Sequence, residues 1–226
     1  MRSSPALRLL GSCLLVAAAA APARAGDRNE LSVGSWNRAL RSSSANAVTD
    51  DNLVGGALTY ARDLRIRPVP ALAVWAVGSF TWAGAAGTMF QTLDTDVEVL
   101  GLSAGGRARY QLHRRVVVSA RLDVGAARTR LRLEDAMGHT AEGAGWAGIA
   151  TAAAGLDLLA VAGPRFSLGL RAELGYTAAA APALTASPGD GGGGDGDAIL
   201  LPMHQASLGH LDLGGRFFGI SLVSQF

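Results

Sequence analysis

The chain has 226 residues, of which 49% are hydrophobic and 17% charged, with 30 glycines, one cysteine and a formal charge of +2. That balance excludes a disordered chain, which needs low hydrophobicity and high charge. A single cysteine excludes a disulfide scaffold, and glycines without a three-residue period exclude a collagen helix.

The first 25 residues have the layout of an export address. Arg2 and Arg8 precede an apolar run from Leu9 to Ala21, and Ala23-Arg24-Ala25 places small residues where a signal peptidase cuts. The run is shorter than the ~20 residues of a spanning helix. Residues 1–25 are therefore expected to be a cleaved secretory signal and 26–226 the mature domain; the alternative is an uncleaved N-terminal anchor. Cys13 invites a lipoprotein reading, but most of the apolar core follows it, whereas a lipidated cysteine follows the core. Arg2, Arg8 and Arg24 leave with the signal and no acid does, so 20 cations against 18 acids become 17 against 18. The mature chain has no lysine, no cysteine and no basic tract for nucleic acid. An exported chain without disulfides needs another source of stability, such as a closed barrel in a membrane.

The mature chain alternates with period two, over and over. Eight such segments run over residues 29–40, 52–64, 71–85, 96–112, 115–133, 143–161, 165–180 and 205–226. In the fourth, Leu100, Leu102, Ala108, Tyr110 and Leu112 alternate with Ser103, Gly105, Arg107, Arg109 and Gln111. The fifth sets Val116, Val118, Leu122 and Val124 against Ser119, Arg121 and Asp123. The seventh sets Phe166, Leu168, Leu170 and Leu174 against Ser167, Arg171 and Glu173. Each segment reaches the ~9–11 residues that a tilted strand needs to cross a bilayer. Connections at 65–70, 113–114 and 162–164 are short; those at 41–51, 86–95, 134–142 and 181–204 are longer and richer in polar residues, Gly or Pro. Short turns alternating with long loops point to an eight-stranded antiparallel up-and-down transmembrane β-barrel, with both termini at the short-turn end.

Two breaks in phase stand out. Beyond Gly125 the arginines move to even positions, Arg128, Arg130 and Arg132, and a one-residue bulge at Gly125-Ala126-Ala127 would turn Leu131 and Leu133 outward. The other option is that this stretch has left the membrane. A second shift lies near Gly214-Gly215. The aromatic residues fit two interfacial belts: Tyr60, Tyr110, Phe166 and Phe226 at the short-turn end, Trp82, Trp146 and Tyr176 near the other, with Trp75 and Phe80 deeper.

The chain ends Arg216-Phe217-Phe218-Gly219-Ile220-Ser221-Leu222-Val223-Ser224-Gln225-Phe226. This resembles the terminal strand of bacterial outer-membrane proteins, in which alternating apolar positions lead to a final aromatic residue. With the signal and the eight segments, the mature chain resembles the small OmpA/OmpX-type barrels. The resemblance implies an outer-membrane location in a Gram-negative bacterium and contact with outer-membrane lipid and lipopolysaccharide. It further implies an assembly signal at Phe218, Ile220, Leu222 and Phe226 read by the barrel assembly machinery, and a monomer.

The chemistry expected inside is electrostatic. Arg107, Arg109, Arg121, Asp123, Asp157, Arg171 and Glu173 fall on the predicted lumen face. They form either a structural ion-pair plug or a charged constriction in a narrow channel, and eight strands favour the plug. Asp190, Asp195 and Asp197 among glycines lack the spacing of a calcium loop and suit a solvated loop. His113, His139, His204 and His210 complete no metal set. Ser207, His210 and Asp212 could be cast as a nucleophile, base and orienting acid of a lipid-modifying enzyme, but they lie along one segment and no hydrolase motif accompanies them. No cofactor is expected. Two rival folds remain: a transmembrane helix over the uncharged residues 69–90, which Pro70 and three glycines interrupt, and a soluble periplasmic β-barrel with its greasy face inside. The expected role is a non-enzymatic structural or surface-interaction barrel.

Overall fold

A computed structural model describes residues 28–40, 49, 52–89, 93–135, 137–138, 140–163, 166–180, 183–188 and 206–226. The expected signal, most of the 41–51 and 181–204 loops with Asp190, Asp195, Asp197 and His204, and His139 lie outside the described residues.

Ten strands form one sheet: β1 (Asn29–Leu40), β2 (Asn52–Val69), β3 (Leu72–Met89), β4 (Leu93–His113), β5 (Val116–Asp135), β6 (Thr140–Ala162), β7 (Ser167–Ala179), β8 (Ala183–Pro188), β9 (Ala206–His210) and β10 (Gly215–Gln225). Strands β1 to β7 and β10 pair antiparallel with their neighbours, and the β1–β10 ladder closes them into an eight-membered ring. The short β8 and β9 extend the seventh and eighth walls beyond that ring, β8 pairing with Ala141–Gly143 of β6. The seventh predicted segment is β7 alone, β8 lies within the connection 181–204 that was expected to be a loop, and the eighth predicted segment is two strands, β9 and β10, whose break at 211–214 falls where the second phase shift was expected.

Register fixes the shape. A row that starts at Glu30 passes through Ala61, Val77, Gly105, Asp123, Thr151, Thr177 and Gly215, and meets β1 again at Leu40, ten residues on. That stagger tilts the strands by roughly 40° and leaves an interior that side chains fill. Termini and tight turns share one end, here the lower end. Asn29 and Phe226 exchange backbone hydrogen bonds there at 2.7 and 2.9 Å, and the turns at Pro70-Ala71 and Arg114-Arg115 lie beside them. Among the described residues no helix is present, and none is long and apolar enough to cross a membrane; residues 72–89 of the helical rival are β3.

The outer surface explains why the ring is a membrane ring. Val33, Leu100, Leu102, Leu122, Val124, Leu170, Leu174, Ile220 and Leu222 are large, apolar and exposed. In water such a belt would be a liability, whereas hydrocarbon accepts it and requires every backbone group to be paired within the sheet. Tyr60, Tyr110 and Phe166 edge the belt below, and Trp82, Trp146 and Tyr176 edge it above. Trp82 lies across Gly56, its cross-strand partner, where a β-carbon would collide with the indole; the glycine makes room for the belt.

Strands β4, β5 and β6 have 21, 20 and 23 residues, about 70 Å each at ~3.3 Å per residue. Even tilted, they outrun an apolar band of ~25 Å. Two connections expected to be loops, 86–95 and 134–142, are therefore largely strand: β3 reaches Met89, β4 starts at Leu93, β5 reaches Asp135 and β6 starts at Thr140. Gly138, at φ 83°, supplies the left-handed residue of the β5–β6 turn. The barrel stands above the membrane as a collar.

That collar corrects the bulge expected at Gly125. The β4–β5 ladder has a register shift at its lower end, between Gln111 and His113, but from Val117 through Gly125 to Glu134 the pairings of β5 with β4 and β6 run unbroken. Odd residues stay inward throughout, so Leu131 and Leu133 face the interior and Arg128, Arg130 and Arg132 face out. What changes is the medium. Above the belt, Arg130 faces Glu98 and Arg132 faces Asp96 and Glu142 across the strands.

Candidate functional site

The lumen is the site, and it is built in layers. The lowest strand residues bring the chain's buried charges together. Glu30, on the inward face of β1, is fully buried and receives Arg107 at 2.5 Å, Arg109 at 2.9 Å, Arg171 at 2.7 and 3.0 Å, and the Gln225 amide at 3.2 Å. Asp157 on β6 is opposite Arg171 on β7 in register, and Arg171 forks onto it at 2.5 and 2.7 Å. Arg109 ties the same carboxylate at 2.9 Å. Above this, Arg107 reaches Glu173 at 3.5 Å, and Arg121 spans Asp123 at 3.2 Å and Glu173 at 3.8 Å. Six strands contribute. Arg107 and Arg121 are direct cross-strand neighbours, a like-charge pair that stands because carboxylates lie on both sides of it.

Charge balance makes the arrangement tolerable. Four guanidiniums meet four carboxylates: Arg107, Arg109, Arg121 and Arg171 against Glu30, Asp123, Asp157 and Glu173. Arg side chains suit this because a planar fork bridges two carboxylates at once. Each buried ion costs several kcal/mol of desolvation, which only close pairing offsets, so removing one partner strands the rest.

All seven residues expected on the lumen face point into it, and they gather in one connected network. Glu30 and Gln225 were not expected there. Their signal was present: with Leu31 and Val33 outward on β1, alternation puts Glu30 inward. Of the terminal-strand residues, Phe218, Ile220 and Leu222 face outward on β10.

Over the network lies a cavity of about 70 Å³, lined by hydroxyls such as Ser32, Thr59, Ser79 and Thr151 together with Arg121, Asp123 and Glu173. The volume accommodates a few water molecules. Asp123 Oδ1 has no protein hydrogen-bond partner, so water is the natural complement. Phe217 lies over Gly175, its cross-strand partner, where a β-carbon would come within 2.6 Å of the ring. Higher still, polarity inverts. Trp36, Leu40, Leu53, Val97, Val99, Leu131, Leu211 and Leu213 form an apolar cluster inside the wall. Trp36 donates to the Gly56 carbonyl at 3.0 Å, and Arg38 stacks on its ring at 4.6 Å while donating to the Leu213 carbonyl at 3.2 Å.

Below the network, Trp75 is buried against the Arg109 guanidinium, 4.9 Å from its ring centroid. At the lower mouth, Asp63 Oδ1 accepts from the Arg65 backbone at 2.8 Å, holding Arg65 at φ 61° as the β2 register slips. Arg67 clasps both oxygens of Asp63. That hydrogen-bonded guanidinium, helped by Arg65 N–H, holds the Asp63 carboxyl below its ordinary value.

The residues considered for catalysis are placed by the backbone as follows. Ser207 and His210 lie on β9, paired with Thr185 and Ala183, and Asp212 accepts from the Gly214 backbone at 2.8 Å. His113 sits at the opposite, lower end of the barrel. Among the described residues no trio of His, Cys, Asp or Glu could hold a metal ion.

No family model matches the sequence, and no curated protein matches it. Solved structures similar to the chain include Ail, the attachment invasion locus protein of Yersinia pestis, with 14% identity, TM-score 0.44, and 88% of this chain and 98% of that chain covered. Neisserial surface protein A gives 11% identity, TM-score 0.39, and 88% and 97%. The translocator domain of the autotransporter NalP from Neisseria meningitidis gives 11%, 0.35, and 97% and 95%. The architecture is an eight-stranded antiparallel up-and-down barrel. Its ring closure rests on this chain's own register.

Proposed function

We propose that this chain is a non-enzymatic outer-membrane protein of a Gram-negative bacterium, a sealed barrel that anchors a surface-interaction collar. In that orientation the lower end faces the periplasm and the collar stands outside the cell. The observation that carries the reading is the double closure of the lumen. Among the described residues a neutral ion-pair network occupies the lower half and an apolar cluster the upper, an arrangement that favours a plug over an aqueous channel. The strand length beyond the apolar belt goes instead into a rigid collar whose outward face is charged. Its partners there are the lipopolysaccharide of the outer leaflet and an extracellular surface. The outward row of Phe218, Ile220 and Leu222 ending at Phe226 is the strand the assembly machinery would engage. The barrel acts as a monomer.

The test is paired. Outer-membrane fractions should contain a band whose apparent mass changes on boiling, as a closed barrel gives. The purified protein in planar bilayers should show no stepwise conductance. Steady single-channel currents that change in Arg107→Ala or Arg121→Ala would overturn the sealed-anchor reading in favour of a narrow channel. A band in the soluble periplasm would overturn the membrane location.

A further inference from the structure

The lower mouth holds a second feature that the sealed anchor does not use. Beneath the ion-pair network lies a vestibule of about 300 Å³, at the lower limit of small-molecule sites. Among the described residues, four guanidiniums line it, those of Arg28, Arg67, Arg109 and Arg114, against the one side-chain carboxylate of Asp63. Both oxygens of that carboxylate are already engaged by Arg67 and the Arg65 backbone. Donors are left over. Arg109 Nε and the indole Nε1 of Trp75, both on buried side chains lining the vestibule, have no hydrogen-bond partner. The Arg114 side chain, in the β4–β5 turn, makes no ion pair among the described residues.

A donor-rich, acceptor-poor chamber calls for a ligand that only accepts. We propose that the vestibule binds a phosphate-class anion on the periplasmic side. The arginines come from separate elements: Arg28 precedes β1, Arg67 is on β2, Arg109 on β4 and Arg114 in the following turn. They therefore approach from several directions. A tetrahedral oxyanion accepts from several directions, whereas a planar carboxylate suits one or two coplanar forks. Trp75 forms an apolar wall, and the underside of the network, through Arg109 and Gln225, is a preorganised floor.

The test uses the refolded mature protein in phosphatidylcholine nanodiscs, with inorganic pyrophosphate as the probe. Calorimetry and tryptophan fluorescence are read against a sodium chloride series of equal ionic strength. Saturable binding is expected, weakened about five-fold by Arg114→Gln, an exposed position whose loss leaves the barrel intact, and by a comparable factor in Arg67→Gln. Trp75→Phe should retain calorimetric binding and lose the fluorescence change. Heat-modifiability of each variant shows that it has folded. Competitive displacement of pyrophosphate by soluble glycerol phosphate, in the same phosphatidylcholine nanodiscs and at equal ionic strength, would support the site and extend it to headgroup-type phosphate. No saturable binding by folded wild-type protein, or equal affinity in Arg114→Gln, would overturn the proposal.

Discussion

The two halves of the barrel wall are built from the same strands and obey opposite rules. In the lower half of β5, Arg121 and Asp123 point inward while Leu122 and Val124 point out. Ten residues higher, Leu131 points inward while Arg130 and Arg132 point out. The pleat does not change and the register does not slip; only the surrounding medium does. In hydrocarbon the apolar side must face out and charge must be neutralised within. In water the strand becomes an ordinary half-buried strand with an apolar core. The lesson is that a reversal of polarity along a β-segment marks a membrane boundary as readily as a bulge.

Substitutions at five positions would break or sharpen this contrast. The largest effect should come from Glu30→Ala, which strands three buried guanidiniums; a loss of about 3–5 kcal/mol is expected by equilibrium urea unfolding in detergent. Glu30→Gln, which keeps shape and some hydrogen bonds, should cost less, and equal losses would mean that packing rather than charge holds the lower half. In the upper half the counterpart is Leu131→Ala, where truncating an almost fully buried side chain should cost about 2–4 kcal/mol by cavity formation without altering ion pairing below.

The outer faces give a sharper pair. Leu122→Arg places a charge against hydrocarbon and should cost about 2–4 kcal/mol. Arg130→Leu, on the collar, should change stability by no more than about 0.5 kcal/mol, as at ordinary solvated surfaces. If both cost the same in lipid vesicles, the membrane boundary is misplaced. The smallest effect concerns Asp63. Its folded carboxyl titrates below the unfolded value, so its contribution is present above the unfolded pKa of about 4 and is lost as pH falls through the folded one. The melting-temperature gap between wild type and Asp63→Asn should be constant above about pH 5 and close below about pH 4. A gap that persists in acid would show that Asp63 acts by holding the Arg65 turn alone.

Much of this was legible in the chain. Alternation such as Leu100, Leu102 against Gly101, Ser103 identifies a strand and its two faces, because side chains in a pleat point to opposite sides by geometry alone. Eight such stretches and the outward row ending at Phe226 were sufficient for the ring, and the lumen position of Arg107, Arg109, Arg121, Asp123, Asp157, Arg171 and Glu173 followed from parity. The collar was harder to see, since Arg128, Arg130 and Arg132 look like a slipped phase until the height of the membrane is known. Loop boundaries at 86–95 and 134–142 failed for the same reason: polar residues signal a loop or a solvated strand equally well.

The sequence by itself determined which residues share a face, because that is a property of neighbours along one strand. Only the tertiary structure decided which faces meet. Glu30 became the centre of the network because ring closure brings β1 against β10 and across the lumen from β4 and β7, placing Arg107, Arg109, Arg171 and Gln225 around it. Those partners lie 77 to 195 residues away in the chain. Stagger and closure set that meeting, and neither can be read from the alternation of any one strand.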